Sequence, residues 1–342
     1  MDLSTTYLGL PLANPIVASA SPMTRSVNGV RKLAAAGIGA VVLPSLFEEQ
    51  LRKEQERDEE LVEGRADAFS EALTFFPTGY SGLPGRPQRY LDLVERSAGV
   101  VDVPVIASLN GSTPGGWEDF ARSLQDAGAA AIEINVYFVP GDPHITGREV
   151  EETHLAILRR VRSVVSIPVA VKLSPHFSSP GEVALRLDQA GADGLVLFNR
   201  FQQPDIDVET LAVQPFAGLS RPDDARLART WIAILRRHVA GSLAATTGVD
   251  QWDDVVKYLL SGADAVMTAS ALMRHGVEHV RALLDGLTQW MSRKGFTTLE
   301  EVRGLLAVPA GVDPTAYERA GYVSALERAR STYGDLRLVA PA

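Results

Sequence analysis

One short pattern of apolar and polar positions recurs along the chain. A helix-like segment ends in a small residue and Gly, and an apolar run follows within a few positions. Gly is typical of the residue just after a helix, where the backbone turns left-handed, and the apolar run is typical of a strand buried on both faces. The pattern occurs at residues 34–44, 126–135, 189–199 and 260–270. It predicts repeated helix–strand units in a parallel sheet.

Four further apolar runs lack the Gly, at residues 15–19, 104–109, 168–173 and 242–246. Amphipathic helices are predicted between the runs, at 117–127, 149–165, 180–190, 223–238, 251–260 and 277–294. Eight strands that alternate with helices predict a closed (β/α)8 barrel, the TIM barrel. A doubly wound open sheet is the alternative, but the glycine-rich turn that it needs is missing after the first strand, where the sequence is Ala18-Ser-Ala-Ser-Pro-Met.

The interval between the second and third strands, residues 45–103, interrupts this alternation. Its first half is densely charged and predicts a helix, which would form a solvated face or cap the mouth of the barrel. We assign residues 1–306 to the barrel domain, with 45–103 as an insertion within it. Residues 307–342 are expected to form a helical tail that packs on the barrel or takes part in oligomer contacts.

Composition narrows the function. The chain has 342 residues, of which 46% are hydrophobic and 22% charged, as is typical of a globular protein. The net charge of −9 argues against nucleic acid as a partner. The N-terminus does not resemble a targeting signal, and no apolar stretch is long enough to span a membrane, so we expect a soluble, cytoplasmic protein with no membrane partner. The lack of cysteine excludes disulfides, thiolate zinc sites, iron–sulfur clusters of the usual kind and a cysteine base.

In a (β/α)8 barrel the chemistry comes from the carboxyl ends of the strands. Here these ends are rich in amides and hydroxyls. A single Asn at such a place more often forms a turn, but three at successive ends, with a lysine among them, favour a polar ligand. The residues at the predicted strand ends are Ser19, Ser21, Pro44, Ser45, Asn110, Asn135, Lys172, Asn199, Arg200, Thr246, Thr247, Gly248, Thr268 and Ser270.

Lys172 is the most informative of these residues. It follows the apolar run of residues 169–171, so its ammonium is expected to enter the barrel mouth, where a partly desolvated cation needs an anionic partner. The alternative is a lysine that extends to solvent. A lysine in the mouth could form a Schiff base with a carbonyl substrate, or supply a fixed positive charge beside a cofactor that becomes anionic.

The last two strand ends predict a phosphate site. Thr247 and Gly248 precede one helix and Ser270 opens the next, so backbone N–H groups and hydroxyls converge where barrels often hold phosphate.

The histidines do not indicate a metal site. His275 and His279 are four residues apart, but no acidic third ligand is evident, so we interpret them as helix surface and expect no metal site.

Taken in order, the strand ends resemble the dihydroorotate dehydrogenase family, which consists of FMN-containing (β/α)8 barrels. The resemblance extends over nearly the whole chain, and GFTTLEEVRG at residues 295–304 resembles the closing helix of the family. The matching segments are NPIVASASP (14–22), PVIASLNG (104–111), IEIN (132–135), VAVKLSP (169–175), LVLFN (195–199), AGLS (217–220), TTGV (246–249) and TASAL (268–272).

The resemblance implies FMN as cofactor and a homodimer. It places Lys172 near the N1/C2 edge of the flavin, where its charge would stabilise the anionic reduced form, and it places Asn135 and Asn199 against the flavin ring or the substrate. The other cofactor contacts that it implies are Ala18, Ser19 and Ala20 along the flavin, Ser45 and Asn110 at their strand ends, and Gly218, Thr247, Gly248, Ala269 and Ser270 around the phosphate.

The chain departs from the family pattern where the substrate binds. After Asn135, Phe138 replaces the family's Cys or Ser base and Pro140 replaces a substrate-binding amide. A flavin-contacting lysine is replaced by Pro44, and a substrate-loop asparagine by Gly79 or Tyr80. A phenyl ring cannot take a proton, so these changes leave the flavin site largely intact and dismantle the dihydroorotate site.

Tyr137 is the nearest substitute for the missing base. Free phenols have a pKa of about 10 and are better donors than bases at neutral pH. With Tyr137, Lys172 and Asn135 as catalytic residues, we predict an FMN oxidoreductase that transfers hydride at flavin N5 to or from a small polar cyclic substrate and oxidises dihydroorotate poorly. Electrons would pass to a soluble acceptor or a partner protein. Two alternatives stay open: a flavin-binding electron-transfer or regulatory subunit without turnover, and a Schiff-base lyase that acts on a phosphorylated sugar through Lys172.

Overall fold

The computed structural model describes residues 1–49, 86–111, 113, 117–137, 140–200, 204–214 and 218–333. Eight parallel strands close into a barrel in chain order, which confirms the predicted (β/α)8 fold. An antiparallel hairpin precedes the barrel and a second one follows its sixth strand. The strands are β1 (Thr5–Tyr7), β2 (Leu10–Leu12), β3 (Ile16–Ala18), β4 (Ala40–Phe47), β5 (Val105–Asn110), β6 (Ala131–Asn135), β7 (Val169–Leu173), β8 (Gly194–Leu197), β9 (Asp205–Asp207), β10 (Ala212–Gln214), β11 (Ser242–Ala245) and β12 (Ala265–Thr268).

Helices surround the barrel. The recurring pattern is confirmed in its detail, because the Gly in each of its four occurrences has a left-handed backbone, with φ +93° at Gly37, +91° at Gly128, +97° at Gly191 and +118° at Gly262. The helices are α1 (Val27–Ala35), α2 (Arg86–Ala98), α3 (Trp117–Asp126), α4 (Gly147–Arg162), α5 (Pro180–Gln189), α6 (Ala225–Leu235), α7 (Trp252–Ser261), α8 (Ser270–His275), α9 (His279–Lys294) and α10 (Pro314–Tyr333). In the described part of the chain, no helix combines the length and the apolar character needed to cross a membrane.

The hairpin β1–β2 closes the amino end of the barrel, and the sequence did not predict it. Its two-residue turn, Leu8-Gly9, has positive φ at both positions (+54° and +74°), which matches the twist of the paired strands. Tyr7, Leu8 and Leu12 pack against the small and branched side chains that line the inside of the barrel. The side chain of Leu8 fits because β8 begins with Gly194, where an added Cβ would lie 2.5 Å from Leu8 Cδ2.

The end of β4 and the segment after α9 differ from the prediction. β4 does not end at Pro44 but continues to Phe47, because a bulge between Val42 and Ser45 accommodates the proline, which has no N–H to give to the ladder. The predicted closing helix at 295–304 is wrong: this segment consists of irregular structure and turns, with an isolated bridge from Thr298 to Asp2. Gly295 ends α9 with φ +82°, and Glu301 binds the N–H groups of Thr297 and Thr298 instead of continuing a helix.

Parts of the insertion and the tail lie outside the described residues. Of the predicted insertion, residues 50–85 are not described, and residues 86–98 form α2. In the tail, α10 covers residues 314–333, and the side chains of 315–328 are exposed. The division of the chain at residue 306 and a role of the tail in oligomer contacts stay predictions.

Candidate active site

A polar layer lies above the apolar interior of the barrel. Ile106, Ala131 and Ala170 belong to the buried apolar cluster inside the barrel. Because side chains alternate along a strand, the residues two positions further on face the same way. These are Ser108, Glu133 and Lys172, and all three are buried. β5, β6 and β7 therefore change from apolar to polar toward their carboxyl ends, and we call this end of the barrel the barrel mouth.

Lys172 has the anionic partner that its burial requires. Its Nζ lies 3.5 Å from Oε1 of Glu133, and the two side chains are 9% and 1% exposed. The alternative of a lysine that extends to solvent is therefore wrong. Sequence reasoning missed Glu133, although a glutamate inside the apolar segment AIEIN was a signal that could have indicated it.

Glu133 lies deep enough to affect two buried phenols. Burial, together with the negative charges of Glu133 and Asp264, raises the pKa of Tyr7 well above its ordinary value. Burial also raises the pKa of Tyr90, against an opposing hydrogen bond to the Ser108 backbone and with a smaller contribution from Glu133. Both phenols are therefore neutral. Among the described residues, the ion pair of Glu133 is with Lys172.

The predicted asparagines meet at the barrel mouth. Asn199 donates a hydrogen bond from Nδ2 to Oδ1 of Asn135, at 2.8 Å. The parallel register sets Asn110 beside Asn135, and Asn135 beside Lys172. Asn110, Asn135 and Lys172 are thus neighbours on adjacent strands. Asn199 contacts this group through its side chain.

The first strand contributes mainly backbone. Ala18 is fully buried, Ser19 is buried and Ala20 is half-buried, while the Ser19 N–H donates to the carbonyl of Thr268 at 3.0 Å. This hydrogen bond continues the pairing of β3 with β12 to the barrel mouth.

The bulge in β4 sets the position of Ser45. Beyond the bulge, Ser45 pairs with Ser108, and their Oγ atoms are 2.8 Å apart. The hydroxyl of Tyr90, on α2, accepts a hydrogen bond from the N–H of Ser108 at 2.8 Å and thereby satisfies a backbone donor of β5. Ser45, and not the Pro44 that precedes it, is therefore the residue of β4 that joins the polar layer.

A second group of donors lies at the ends of β11 and β12. The Ser220 hydroxyl is 2.9 Å from Ser270 Oγ, the N–H of Ser220 donates to the same Oγ at 3.0 Å, and the N–H of Gly248 donates to Ser220 Oγ at 3.2 Å. We call Ser220, Gly248 and Ser270 the hydroxyl cradle. The cradle contains hydroxyls and N–H groups and no carboxylate, which suits an anion. Gly218 and Ala269, both half-buried, flank it in the chain.

Gly248 allows the cradle to close. It has φ +70°, and an added Cβ would lie 2.7 Å from both the backbone N of Ala225 and the carbonyl O of Arg221. Thr247 also has positive φ, +77°, and its Oγ1 donates to the carbonyl of Phe198 at 3.1 Å. The sequence predicted Thr247, Gly248 and Ser270, but it did not predict Ser220 as a member of the site.

Arg274 fixes the segment that carries Ser220. One of its nitrogens donates to the Ser220 carbonyl, and the other lies 2.6 Å from Oδ1 of Asp250. Burial acts to raise the pKa of Asp250, but hydrogen bonds from Arg274 and Gln251 and the nearby positive charges outweigh it and hold this pKa below its ordinary value. Asp250 is therefore an anion that orients Arg274 and, through it, the cradle.

Several other predicted positions lie outside the described residues. Tyr137 is half-buried two residues beyond Asn135, while Phe138, Gly79, Tyr80 and Ala217 lie outside the described residues. His275 and His279 do not share one helix surface: they end α8 and begin α9, with ring centroids 4.4 Å apart. Among the residues that the structure describes, no three His, Asp or Glu side chains are grouped so that they could hold a metal ion.

These features define a class: a (β/α)8 barrel that carries a lysine–carboxylate pair and an asparagine pair at its mouth, and a hydroxyl cradle at its last two strand ends. A sequence profile described as dihydroorotate dehydrogenase matches residues 2–291, and the chain belongs to this family. The family prediction made from the motifs is confirmed.

Named relatives are similar over most of the chain. It is 26% identical over 326 residues to the NAD-dependent dihydropyrimidine dehydrogenase subunit PreA of Escherichia coli (strain K12), with 89% of this chain and 76% of that protein covered. It is 27% identical over 317 residues to the catalytic subunit of dihydroorotate dehydrogenase B (NAD(+)) of Pyrococcus abyssi, with 89% and 98% covered. For the same subunit of Methanocella arvoryzae the identity is 28% over 320 residues, with 89% and 98% covered.

Proposed function

We propose that the protein is an FMN-dependent oxidoreductase that acts on a carbon–carbon bond of a small, polar, pyrimidine-like ring. One observation carries the proposal: the buried Lys172 and the Asn135–Asn199 pair lie at the barrel end that also holds the hydroxyl cradle. A cation and amides suit a polar heterocycle, and the cradle suits a phosphate. FMN combines these two parts in one molecule.

The residues fit this cofactor in their chemistry. Ser220, Ser270 and the N–H of Gly248 would hold the phosphate, and the backbone of Ala18 to Ala20 would line the ring. Ser45 and Asn110 lie on neighbouring strands near the barrel mouth, Ser45 in register with Ser108 and Asn110 in register with Asn135. When bound, FMN would accept or donate a hydride at N5.

Lys172 supplies a fixed positive charge at the mouth. The Lys172 nitrogen lies 3.5 Å from the Glu133 carboxylate, and an amine engaged in an ion pair is not available as a nucleophile, so the pair supports the role of a fixed charge over that of a Schiff base. Asn135 and Asn199 can orient polar edges of the ring or the substrate, because each retains amide groups that the bond between them does not use.

Tyr137 would donate the proton that accompanies hydride transfer to a substrate carbon. It lies two residues after the end of β6 and directly before Phe138, which stands at the position of the family's base. For this reason we propose that the protein reduces a ring double bond rather than oxidising dihydroorotate efficiently. Tyr137→Phe should lower the rate of substrate reduction about a hundredfold, as expected for the loss of a general acid, while FMN affinity stays unchanged.

The names of the relatives support a partner protein. One is a subunit of an NAD-dependent dihydropyrimidine dehydrogenase, and others are catalytic subunits of dihydroorotate dehydrogenase B (NAD(+)). Since the chain has no cysteine to bind an iron–sulfur cluster of the usual kind, electrons would enter or leave through the flavin, directly to a soluble acceptor or a partner.

The experiment uses the purified full chain. We expect a yellow protein that releases FMN on denaturation, and whose photoreduced flavin is reoxidised anaerobically by a pyrimidine or enoate from a small panel. Dihydroorotate should bleach the oxidised protein slowly or not at all. A colourless protein that FMN cannot reconstitute would contradict the proposal. Bound FMN that exchanges electrons with no ring in the panel would instead indicate a flavin-binding subunit without turnover.

A further inference from the structure

The buried carboxylate of Glu133 has few contacts. Its Oε1 lies 3.5 Å from Lys172 Nζ, and its Oε2 has no hydrogen-bond partner among the described residues. Both residues are buried. A carboxylate in such a place is costly unless a positive charge balances it, and the same holds for the ammonium. Each ion is therefore stable in this interior because of the other.

The surrounding titratable groups do not replace this partnership. Tyr7, from the hairpin β1–β2, and Tyr90, from α2, are neutral phenols that cannot balance a cation. Asp264, before β12, is engaged elsewhere: its carboxylate lies 2.8 Å from an Arg236 nitrogen and 2.9 Å from an Arg303 nitrogen. Within the described part of the chain, Glu133 is the carboxylate that forms an ion pair with Lys172.

The geometry also orders the two ions along the barrel. Glu133 comes two residues before Asn135 on β6, and the register sets Asn135 beside Lys172 on β7. Glu133 therefore lies one layer deeper than the asparagine pair, on the side of the apolar interior. From that depth its carboxylate contacts the ammonium of Lys172.

We propose that Glu133 is a positioning residue that keeps Lys172 protonated and fixed at the barrel mouth throughout the reaction. This inference rests on the FMN site proposed above. With Lys172 charged in both oxidation states, two-electron reduction of FMN to its anionic form takes up one proton from solvent. Without Glu133, burial would favour the neutral form of Lys172 while FMN is oxidised. The negative charge on reduced FMN would then cause Lys172 to take up a proton again. Two protons would therefore be taken up with the two electrons.

The test measures the reduction potential of bound FMN against pH from 6.5 to 9, in a dithionite titration. The wild-type slope should correspond to one proton per two electrons. Glu133→Gln preserves shape and removes the charge, and its slope should double. The double variant Glu133→Gln/Lys172→Met should return to the wild-type slope, since the group that takes the extra proton is gone. Glu151→Gln is the matched control: it removes a buried carboxylate that pairs with Arg186 on the outer helices, and the slope should not change.

Each outcome separates the two proposals. A wild-type protein without flavin contradicts the proposed function. Bound flavin with equal slopes in wild type and Glu133→Gln overturns the role of Glu133. If Glu133→Gln folds but holds no flavin, acetic anhydride labelling of the flavin-free proteins replaces the measurement of the reduction potential. Lys172 should be acetylated several times faster in the variant than in the wild type. The acetylation rate of Lys257 serves as the internal reference. Equal labelling overturns the proposal.

Discussion

The two ends of the barrel are built from the same strands and have opposite chemistry. At the amino end, the hairpin β1–β2 inserts Tyr7, Leu8 and Leu12 among small and branched side chains. At the carboxyl end, two residues further along each strand, the inward positions hold Ser108, Glu133 and Lys172. One end excludes water with apolar contacts, and the other concentrates charge and hydrogen-bonding groups.

The apolar contacts and the polar groups are therefore separated along β5, β6 and β7. The apolar end gains from burial, at roughly 25 cal/mol for each Å² of apolar surface, and needs no ligand to be complete. The polar end buries an ion pair whose own contribution to stability is small or negative, which is tolerated where it serves a site. Substitutions at the two ends should therefore affect different measurements.

The largest effect should come from the cradle. In Gly248→Ala, the native loop conformation is destabilised in two ways. The left-handed backbone is strained for Ala by about 1 kcal/mol, and overlap of the new Cβ with the backbone at Ala225 and Arg221 adds about 1–3 kcal/mol. If the loop moves to relieve the overlap, its N–H leaves Ser220 and the cradle opens. We expect FMN affinity to fall by up to about a thousandfold, which corresponds to ~4 kcal/mol. Fluorescence titration of the flavin-free protein with FMN measures it.

Gly276→Ala is the control for the cradle. Gly276 also has positive φ, +83°, but nothing lies within 4 Å of an added Cβ. FMN affinity should change less than about threefold there, because the backbone strain falls outside the cradle. Equal affinities in Gly248→Ala and Gly276→Ala would show that the phosphate binds elsewhere.

At the amino end, Leu8→Ala should cost stability and leave FMN binding unchanged. Leu8 is 3% exposed, and its side chain fills the space above Gly194. Removing a buried leucine side chain costs about 2–4 kcal/mol, because apolar contact is lost and a cavity remains. Urea unfolding measures this loss, and Leu211→Ala, at a residue that is 87% exposed, should change the free energy of unfolding by less than about 0.5 kcal/mol. A weakened FMN affinity in Leu8→Ala would remove the distinction between the two ends.

The sequence predicted the barrel because its signals are local. An apolar run, a Gly and an amphipathic helix lie within a few residues of one another, and the strand order then follows the chain. Lys172 was predicted for the same reason, since its place after residues 169–171 is visible in the sequence. The hairpin β1–β2 escaped because the turn Leu8-Gly9 lacks the usual Asn-Gly signal and its strands have three residues each.

The partners of the site residues could not be predicted in the same way. Glu133 and Lys172 are 39 residues apart, and only the register of β6 on β7 brings them together. Ser220 is 50 residues from Ser270, and its position depends on how a connection after β8 returns to the barrel. The bulge at Pro44 shifts Ser45 into the polar layer, and its effect depends on pairing with β5. Such contacts between distant segments set the geometry of the site.

The smallest expected effect concerns His154, which lies on α4 beneath the segment that carries Tyr137. Burial lowers its pKa, while hydrogen bonds to the backbone of Val150 and Val136 act in the opposite direction. Below the unfolded value of about 6.5, the unfolded chain therefore binds more protons than the folded one, and stability falls as the pH falls. The stability from neutral His154 is complete above that pH, and one proton limits the loss to about 1.4 kcal/mol per pH unit. Urea unfolding at pH 7.5, 6.5 and 5.5 measures the free energy of unfolding. As the pH falls, this free energy should decrease less in His154→Gln than in the wild type. The control is His238→Gln, at an exposed residue, which should follow the wild type. Parallel curves for all three proteins would show that His154 takes up its proton as readily when folded as when unfolded.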